Sequence, residues 1–282
     1  MARIKQPSRT SKPIVARLNP LPEGTRAILR TGTEAVAYYI PTSQSKTLKT
    51  TIALPHHSTW SSGLHFHTAH TEYLHLLRGS IFLSLDGTTR IISADAGGEV
   101  SVQTGQLVTL GLVFEVPKYA RHEWGRAETR FDRQYFGVGG CVVRPADTGE
   151  EVVVEEWTSP NDISKPLFFW NLNRVITAPE ASCLSTPQMM MKRMLGEWWV
   201  PFQLFVIFWE LDNWPVFVNM RDLLGSWFDN GDQGFRYLEG SLEYVMTFMV
   251  LFTAKMLGWL VGVRAVERKR TPIALWEAYS KD

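Results

Sequence analysis

The stretch GLHFHTAHTEYLHLLRG, residues 63–79, holds four histidines and one glutamate within seventeen residues. On a β-strand, residues two apart project from the same face, so His65 and His67 can both point into a barrel while Phe66 points away. Glu72 follows five residues after His67, which leaves enough chain for a turn that returns a carboxylate to the same point. Imidazole and carboxylate are common ligands of divalent transition metals. His122 is the single histidine C-terminal to this stretch and is therefore the candidate fourth ligand.

The intervals between these residues resemble the motifs of the cupin superfamily. The first motif has the form HxH, three or four residues, E, six residues, G, and its positions are matched by His65, His67, Glu72 and Gly79. The second motif has the form G, five residues, PxG, two residues, H, three residues, N. Its positions are matched in part, by Gly111, Pro117 and His122.

The sequence departs from the family pattern at turn positions. Tyr119 replaces the second glycine of the second motif, and Arg126 replaces its asparagine. Thr59 stands where the first motif has an upstream glycine. Because these positions shape turns and supply no ligand, the expected metal set is intact, and the loop shapes are what the departures change.

The resemblance covers roughly residues 34–155. It implies an α+β chain in which a single cupin-like antiparallel β-barrel, a jelly roll, is followed by a helical C-terminal region. It also implies that a divalent transition metal is bound by His65, His67, Glu72 and His122. Three imidazoles and one carboxylate suit Fe(II), which we favour, and also Mn(II), Ni(II), Zn(II) or Cu(II). An octahedral metal so held keeps positions open for other molecules, as catalysis requires.

The residue pattern itself divides the chain. Short segments rich in Val, Ile, Leu, Phe and Tyr, separated by Gly, Pro, Asp and Ser, fill the first half and are typical of antiparallel strands. They include DRQYFGVGGCVV at residues 132–143, and the pair Asp86–Gly87 predicts a tight hairpin. We predict a basic flexible tail over residues 1–25, the barrel over 26–157, a linker over 158–185 and a helical, apolar region over 186–282.

The helical region begins with recognisable start signals. Ser185 or Thr186 can cap a helix, and Pro187 suits its first turn. Pro201 predicts a kink or an end to that first helical part.

The segment YVMTFMVLFTAKMLGWLVGV, residues 244–263, contains Lys255 as its single charge and is followed by RAVERKR. Twenty helical residues span about 30 Å, the thickness of the hydrocarbon layer of a bilayer. The segment can therefore span a membrane, lie in the membrane interface, or pack as a buried helix on the barrel. Membrane contact through residues 244–263 is an expectation on equal terms with a soluble helical cap.

Composition limits the partners and the location. Lys plus Arg, 29 residues, nearly cancels Asp plus Glu, 28 residues, so we expect no nucleic-acid partner. Cys141 and Cys183 form no CxxC pair and suit a reducing compartment. The N-terminus has no secretory pattern. We expect an intracellular protein that is membrane-associated or cytoplasmic and not secreted. A homodimer is possible, because cupin barrels often pair through sheet surfaces.

The resemblance implies a metal-dependent oxidoreductase, dioxygenase-like, that acts on a small and fairly apolar organic molecule. It is strongest to single-barrel cupins of fungal secondary-metabolite pathways, which suggests a tailoring step in secondary-metabolite biosynthesis. A non-redox isomerase, cyclase, decarboxylase or lyase would use the same ligands. A membrane-anchored small-molecule binding protein without catalysis is the third alternative.

Further catalytic candidates are few. His57 sits at the end of a predicted strand and can line a pocket mouth, while Glu115 and Tyr119 flank Pro117 in the second motif. His70 and His75 lie within the first motif at non-ligand positions, so we expect structural or solvent-facing roles for them.

Overall fold

The computed structural model describes residue 18 and residues 20–44, 48–134, 143–177, 184–220 and 233–281, with the side chains of 132–134 and 233–239 outside that description. Its strands are β1 (Thr25–Arg30), β2 (Val36–Pro41), β3 (Thr50–Leu54), β4 (His65–Phe66), β5 (Thr71–Arg78), β6 (Ser80–Leu85), β7 (Thr88–Ser93), β8 (Gly98–Val100), β9 (Leu107–Leu110), β10 (Val113–Val116), β11 (His122–Arg126), β12 (Val152–Ser159) and β13 (Trp214–Pro215).

These strands form two sheets whose pairings are antiparallel. The first has six strands in the order β1-β2-β3-β12-β5-β10, and the second has seven in the order β13-β4-β11-β6-β7-β8-β9. The predicted cupin-like antiparallel barrel followed by helices is confirmed. Residues 1–17, most of the predicted tail, lie outside the described part of the chain.

Alternation along the strands builds the core between the sheets. On β12, Val152 and Val154 are fully buried in the main cluster, while Val153 packs in a separate cluster on the other face. On β5, Leu74 and Leu76 are buried and His75 between them is half-buried, with Nδ1 3.6 Å from a carboxylate oxygen of Glu155. Period-2 alternation of this kind fixes which side chains face the site.

Tight turns hold the strand register. Asp86 and Gly87 join β6 to β7 with φ of 47° and 82°, so the predicted hairpin is confirmed. Gly79, the last residue of the first motif, separates β5 from β6 at φ 73°. A Cβ on Gly79 would lie 2.7 Å from the carbonyl oxygen of Glu151, so both the backbone conformation and the close approach require glycine there.

The helices are α1 (Ala127–Gln134), α2 (Ser164–Thr177), α3 (Thr186–Leu195), α4 (Trp199–Glu210), α5 (Gln233–Val261) and α6 (Ile273–Tyr279), with short 3₁₀ turns at Ala146–Gly149 and Gly196–Trp198. The predicted capping is observed, since Ser185 and Gln188 form a reciprocal capping box at α3. Pro201 lies in the first turn of α4, directly after the 3₁₀ turn.

Two segments differ from expectation. Residues 132–134, predicted to start a strand, end helix α1, and residues 135–142 of the same prediction lie outside the described part. Residues 164–177 of the predicted linker form α2, because a helix here buries Leu167 and Trp170 against the barrel. The indole of Trp170 donates to the carbonyl of Pro41 on β2 at 2.8 Å. The helical region therefore begins inside the segment that we assigned to a linker.

Replacing Gly79 by alanine should destabilise the barrel strongly. A left-handed alanine costs about 1–2 kcal/mol, and the collision with Glu151 raises the total loss to at least about 2 kcal/mol. Gly24→Ala is the matched control, because Gly24 has φ 70° and no atom within 4 Å of an added Cβ. Urea unfolding of both variants measures the difference, and equal losses would show that the close approach has no energetic weight.

Candidate metal centre

Strand pairing brings the four predicted ligands together. His65 on β4 stands opposite His122 on β11, and their ring centroids are 4.0 Å apart. His67 follows β4 directly, and Glu72 is the second residue of β5. One ligand atom from each of the four side chains lies within 4.8 Å of the others, and all four residues are buried. The structure thus assembles this set from two sheets.

The hydrogen bonds of the histidines aim lone pairs at one point. The Nδ1 atoms of His65, His67 and His122 face the backbone carbonyls of Gly63 (2.8 Å), Asp212 and Ala120 (3.1 Å). A carbonyl can only accept, so each Nδ1 donates its proton and each Nε2 carries the lone pair. The Nε2 atoms of His67 and His122 lie 2.5 and 3.0 Å from Oε2 of Glu72, and that of His65 lies 3.9 Å away.

Such an arrangement is electrostatically suited to a cation. Burial lowers the pKa of His65 to about 4 and also lowers the pKa of His67 and His122, which keeps the three imidazoles neutral. Three neutral nitrogens and one carboxylate oxygen that converge in a buried space repel one another unless a positive charge lies between them. The chemistry of this donor set fits a divalent transition metal.

Lys165 on α2 completes the charge balance of the site. Its ammonium lies 2.7 Å from Oε1 of Glu72 and 3.3 Å from Oε2 of Glu156, a residue of β12. Burial opposes ionisation of Glu72, but the Lys165 ammonium and the neighbouring histidines hold its pKa well below the usual value. Because Lys165 occupies Oε1, Oε2 is the carboxylate oxygen left for a metal.

Glu156 is the second buried carboxylate beside the site. Burial raises its pKa to about 7 in spite of the lowering effect of Lys165. The indole of Trp124 donates to its Oε1 at 2.7 Å. Glu156 can therefore hold or release a proton near neutral pH at a position that faces Lys165.

Glu156 and Lys165 are not among the site residues that we predicted from the sequence. The inward position of Glu156 could have been predicted from the alternation of side chains along β12, because Glu156 continues the inward series of Val152 and Val154. Lys165 was missed because we assigned residues 158–185 to a linker. Pro166 followed by LFFW is nevertheless a signal for the first turn of an apolar helix.

Asp212, two residues after the end of α4, holds the loop that carries His67. Its carboxylate accepts from the backbone N–H groups of Thr68 (2.7 Å), Ala69 (2.9 Å) and His70 (3.0 Å), and from the hydroxyl of Thr68. It also accepts from Nδ1 of His70 at 2.8 Å. Hydrogen bonds to Asp162 and Asp212 raise the pKa of His70 to about 9, so this histidine is a charged structural residue.

A cavity of about 270 Å³ lies between the barrel and helices α2 and α4, and His65 is the one of the four candidate ligands that lines it. Its polar and charged lining residues are Arg30, Glu34, Ser61, Ser62, His65, Glu156, Lys165 and Asn213. Its remaining wall is mainly apolar and aromatic and includes Trp60, Phe168, Phe169, Leu172, Leu204 and Phe208. The volume and lining suit a small molecule that has an apolar body and polar groups.

The three weaker catalytic candidates lie away from this cavity. The His57 side chain is 67% exposed and its Nδ1 faces Glu128 at 3.0 Å. Glu115 and Tyr119 are exposed, and none of the three lines the cavity. His57 lies in the loop after β3, and β10 and the following turn present Glu115 and Tyr119 outward, so a catalytic role for these three residues stays a prediction. Tyr119 positions the site, since its backbone N–H donates to the carbonyl of His67 at 2.7 Å.

Both departures in the second motif have a structural role. Tyr119 keeps the left-handed turn that glycine makes in the family pattern, with φ 66°. Arg126 is fully buried and donates to the carbonyls of Leu54 (3.2 Å) and Thr148 (3.1 Å). The substitutions thus leave the ligand strand β11 in place.

No protein-family model matches the sequence, and no curated protein matches it. The chain is similar to the solved structure of KdgF from Halomonas sp., with 13% identity, 45% of this chain and 80% of that chain covered, and a TM-score of 0.27. A second similar structure is the cupin domain of CENP-C from Drosophila melanogaster, with 10% identity, coverage of 47% and 75%, and a TM-score of 0.28. A third is a predicted oxalate decarboxylase from Thermotoga maritima, with 16% identity, coverage of 51% and 96%, and a TM-score of 0.28. At such values, the cupin-like assignment rests on the chain's own sheets and ligand spacing.

Removal of one imidazole should empty the site. In His122→Ala, metal content measured by elemental analysis should fall at least about tenfold, because one of four buried ligands is lost. His75→Ala is the control, since His75 comes from the same motif but lies on the opposite face of β5. Equal metal content in both variants would contradict the ligand assignment.

Loss of charge at Asp212 should loosen the loop that carries His67. Asp212→Asn places an amide N–H₂ among buried donors, so we expect a stability loss of about 2–4 kcal/mol. Asp162→Asn alters one partner of His70 at a side chain that is 42% exposed and should cost less than about 1 kcal/mol. Denaturant unfolding compares the two, and a smaller loss for Asp212→Asn would refute this role.

Proposed function

We propose that this chain is a metal-dependent enzyme that acts on a small, largely apolar organic molecule, and that its reaction is a dioxygenase-like oxidation. The observation that carries the proposal is the convergence of four buried ligand atoms beside a cavity that one of the four residues, His65, lines. Fe(II) is the metal we favour for an oxidation, with Mn(II), Ni(II), Zn(II) or Cu(II) as the other metals that these ligands suit. A tailoring step in secondary metabolism inside the cell is the setting that we propose.

Aromatic residues of the cavity bind the substrate, and Lys165 orients it. The rings of Trp60, Phe168 and Phe208 bind apolar substrate surface and exclude water from the space beside His65. Lys165 lines the same cavity and can direct an oxygen atom of the substrate toward His65. When bound to the three histidines and Glu72, a metal supplies a Lewis acid or a redox centre.

A second candidate function is supported by Glu156. This carboxyl lines the cavity, titrates with a pKa of about 7 and contacts Lys165, so it can move a proton to or from a bound substrate. A proton-transfer reaction needs no oxidant. The corresponding classes are isomerase, cyclase, decarboxylase and lyase.

Oxygen dependence separates the two candidates. The purified protein, loaded in turn with Fe(II), Mn(II), Ni(II) or Zn(II), is incubated with a panel of small aromatic and aliphatic oxygenated compounds, with and without oxygen. An oxidation should appear by mass spectrometry only with oxygen and a redox-active metal, with matching oxygen consumption. Turnover without oxygen would select the proton-transfer classes. Binding of a compound without turnover, unchanged in His122→Ala, would instead support a binding protein and refute both enzymes.

Substitution of Glu156 gives a second separation. Glu156→Gln keeps an oxygen that accepts from Trp124 but cannot exchange a proton. If Glu156 is the general acid or base, turnover should fall about 10²–10⁴-fold. The limb of the pH profile of turnover that reflects ionisation of Glu156 should then disappear, and the metal content should be unchanged. A fall of less than about tenfold would remove Glu156 from the proton-transfer step and favour the oxidation.

A further inference from the structure

Helix α5 presents an uncharged apolar face to its surroundings. Within residues 241–260, all of which the structure describes, no exposed side chain is charged. Ten of the exposed residues are large and apolar: Leu242, Val245, Met246, Met249, Val250, Phe252, Met256, Leu257, Trp259 and Leu260. They recur at intervals of three and four, so they share one face of the helix. Soluble proteins rarely expose an apolar surface this continuous.

The opposite face of α5 is built onto the barrel. Glu243 is 1% exposed and pairs with the guanidinium of Arg121 at 2.5 Å. Thr247 donates to the carbonyl of Pro215 at 3.0 Å, and Leu251 is fully buried beside Phe66 and Trp214. The orientation of the helix is therefore fixed, and the apolar face is turned outward by specific inward contacts.

The inward contacts argue against a spanning orientation. The part of α5 from Gly240 to Val261 is long and apolar enough to cross a bilayer, with 22% of its most apolar window buried. Spanning would remove Glu243 from Arg121 and Lys255 from Glu210, and it would carry unpaired charges into hydrocarbon. A helix that lies in the plane of the interface keeps both pairs.

Basic residues flank the apolar face at its C-terminal end. Arg264, Arg268 and Lys269 are exposed and follow directly after the helix. Trp259, 63% exposed, lies at the same end, where an indole suits the boundary between headgroups and acyl chains. An uncharged apolar face with positive charges at one end complements an anionic phospholipid surface.

Helix α3 adds to this end of the surface. The amide of Gln188 donates to the carbonyl of Gly262 at 2.9 Å, which joins the start of α3 to the end of α5. On α3, Met190 and Met194 are 70% and 73% exposed, and Arg193 is exposed beside them. The combination of apolar and basic side chains thus extends beyond a single helix.

We propose that the outward face of α5 docks this protein onto an anionic phospholipid bilayer, with the helix axis in the membrane plane. The apolar side chains enter the boundary between headgroups and acyl chains, and Arg264, Arg268 and Lys269 contact lipid phosphates. This docking is independent of the proposed chemistry.

Vesicle sedimentation of the full-length protein tests the docking. Phosphatidylcholine vesicles that contain phosphatidylserine should sediment the wild type, and added salt should weaken that binding. The triple variant Met249→Glu, Met256→Glu, Leu260→Glu should bind at least about tenfold more weakly, because three charges enter the apolar boundary. Arg268→Glu with Lys269→Glu should weaken binding to the anionic vesicles and change little with pure phosphatidylcholine.

A matched triple variant controls for added charge. Val108, Leu110 and Val113 are 59%, 77% and 51% exposed on the barrel, and their replacement by glutamate should leave vesicle binding unchanged. Circular dichroism and thermal unfolding check that each variant folds. Equal binding by the α5 variant and the control would overturn the proposal. The proposal would also be overturned if the wild type did not bind vesicles and formed a dimer that the α5 triple variant cannot form. The apolar face would then bind a second copy of the chain.

Discussion

The buried carboxylate of Glu72 is the constraint on which the site and its surroundings depend. A carboxylate that is 1% exposed has lost its hydration and needs compensating charge. Lys165 provides that charge on Oε1, so Oε2 stays directed at the histidines. Lys165 is itself 5% exposed and would be costly without Glu72 and Glu156. Glu72, Glu156 and Lys165 therefore stabilise one another, and they come from three different elements, β5, β12 and α2.

This group of three side chains explains why the barrel and the helices form one site. Lys165 reaches Glu72 only because α2 packs over the barrel opening, and Trp170 and Phe169 hold α2 there through Pro41 and Tyr38. Asp212 fixes the loop of the first motif from the end of α4. The helices thus supply a charge, a clamp and the apolar wall of the cavity. The region after the barrel is part of the functional architecture.

The ligands could be predicted because their signal is local. Strand periodicity places His65 and His67 on one face, and the resemblance of the two motifs to the cupin pattern implies Glu72 and His122 as their partners. Glu156 carried the same kind of signal. Asp212 could not be found in this way, because its partners lie 142 to 144 residues away and a single aspartate after a helix has no characteristic pattern. The orientation of α5 was hidden for another reason. Its inward face mixes the polar residues Glu243 and Thr247 with the apolar Leu251, while its outward face is apolar, so hydrophobic periodicity does not mark the buried side.

The hydrogen bonds between Asp212 and Thr68 also set an order of events during synthesis. Residues 65–72 emerge early from the ribosome, and the strands that pair with them follow in sequence. The loop that carries His67 forms its hydrogen bonds to Asp212 only after that residue, 144 positions after Thr68, has been synthesised. Contacts of such long range close late because the loop entropy must be overcome first. Completion of the candidate site is therefore a step that follows synthesis of most of the chain, and a chain truncated before α4 would carry every predicted ligand without the Asp212 hydrogen bonds that hold the loop after His67.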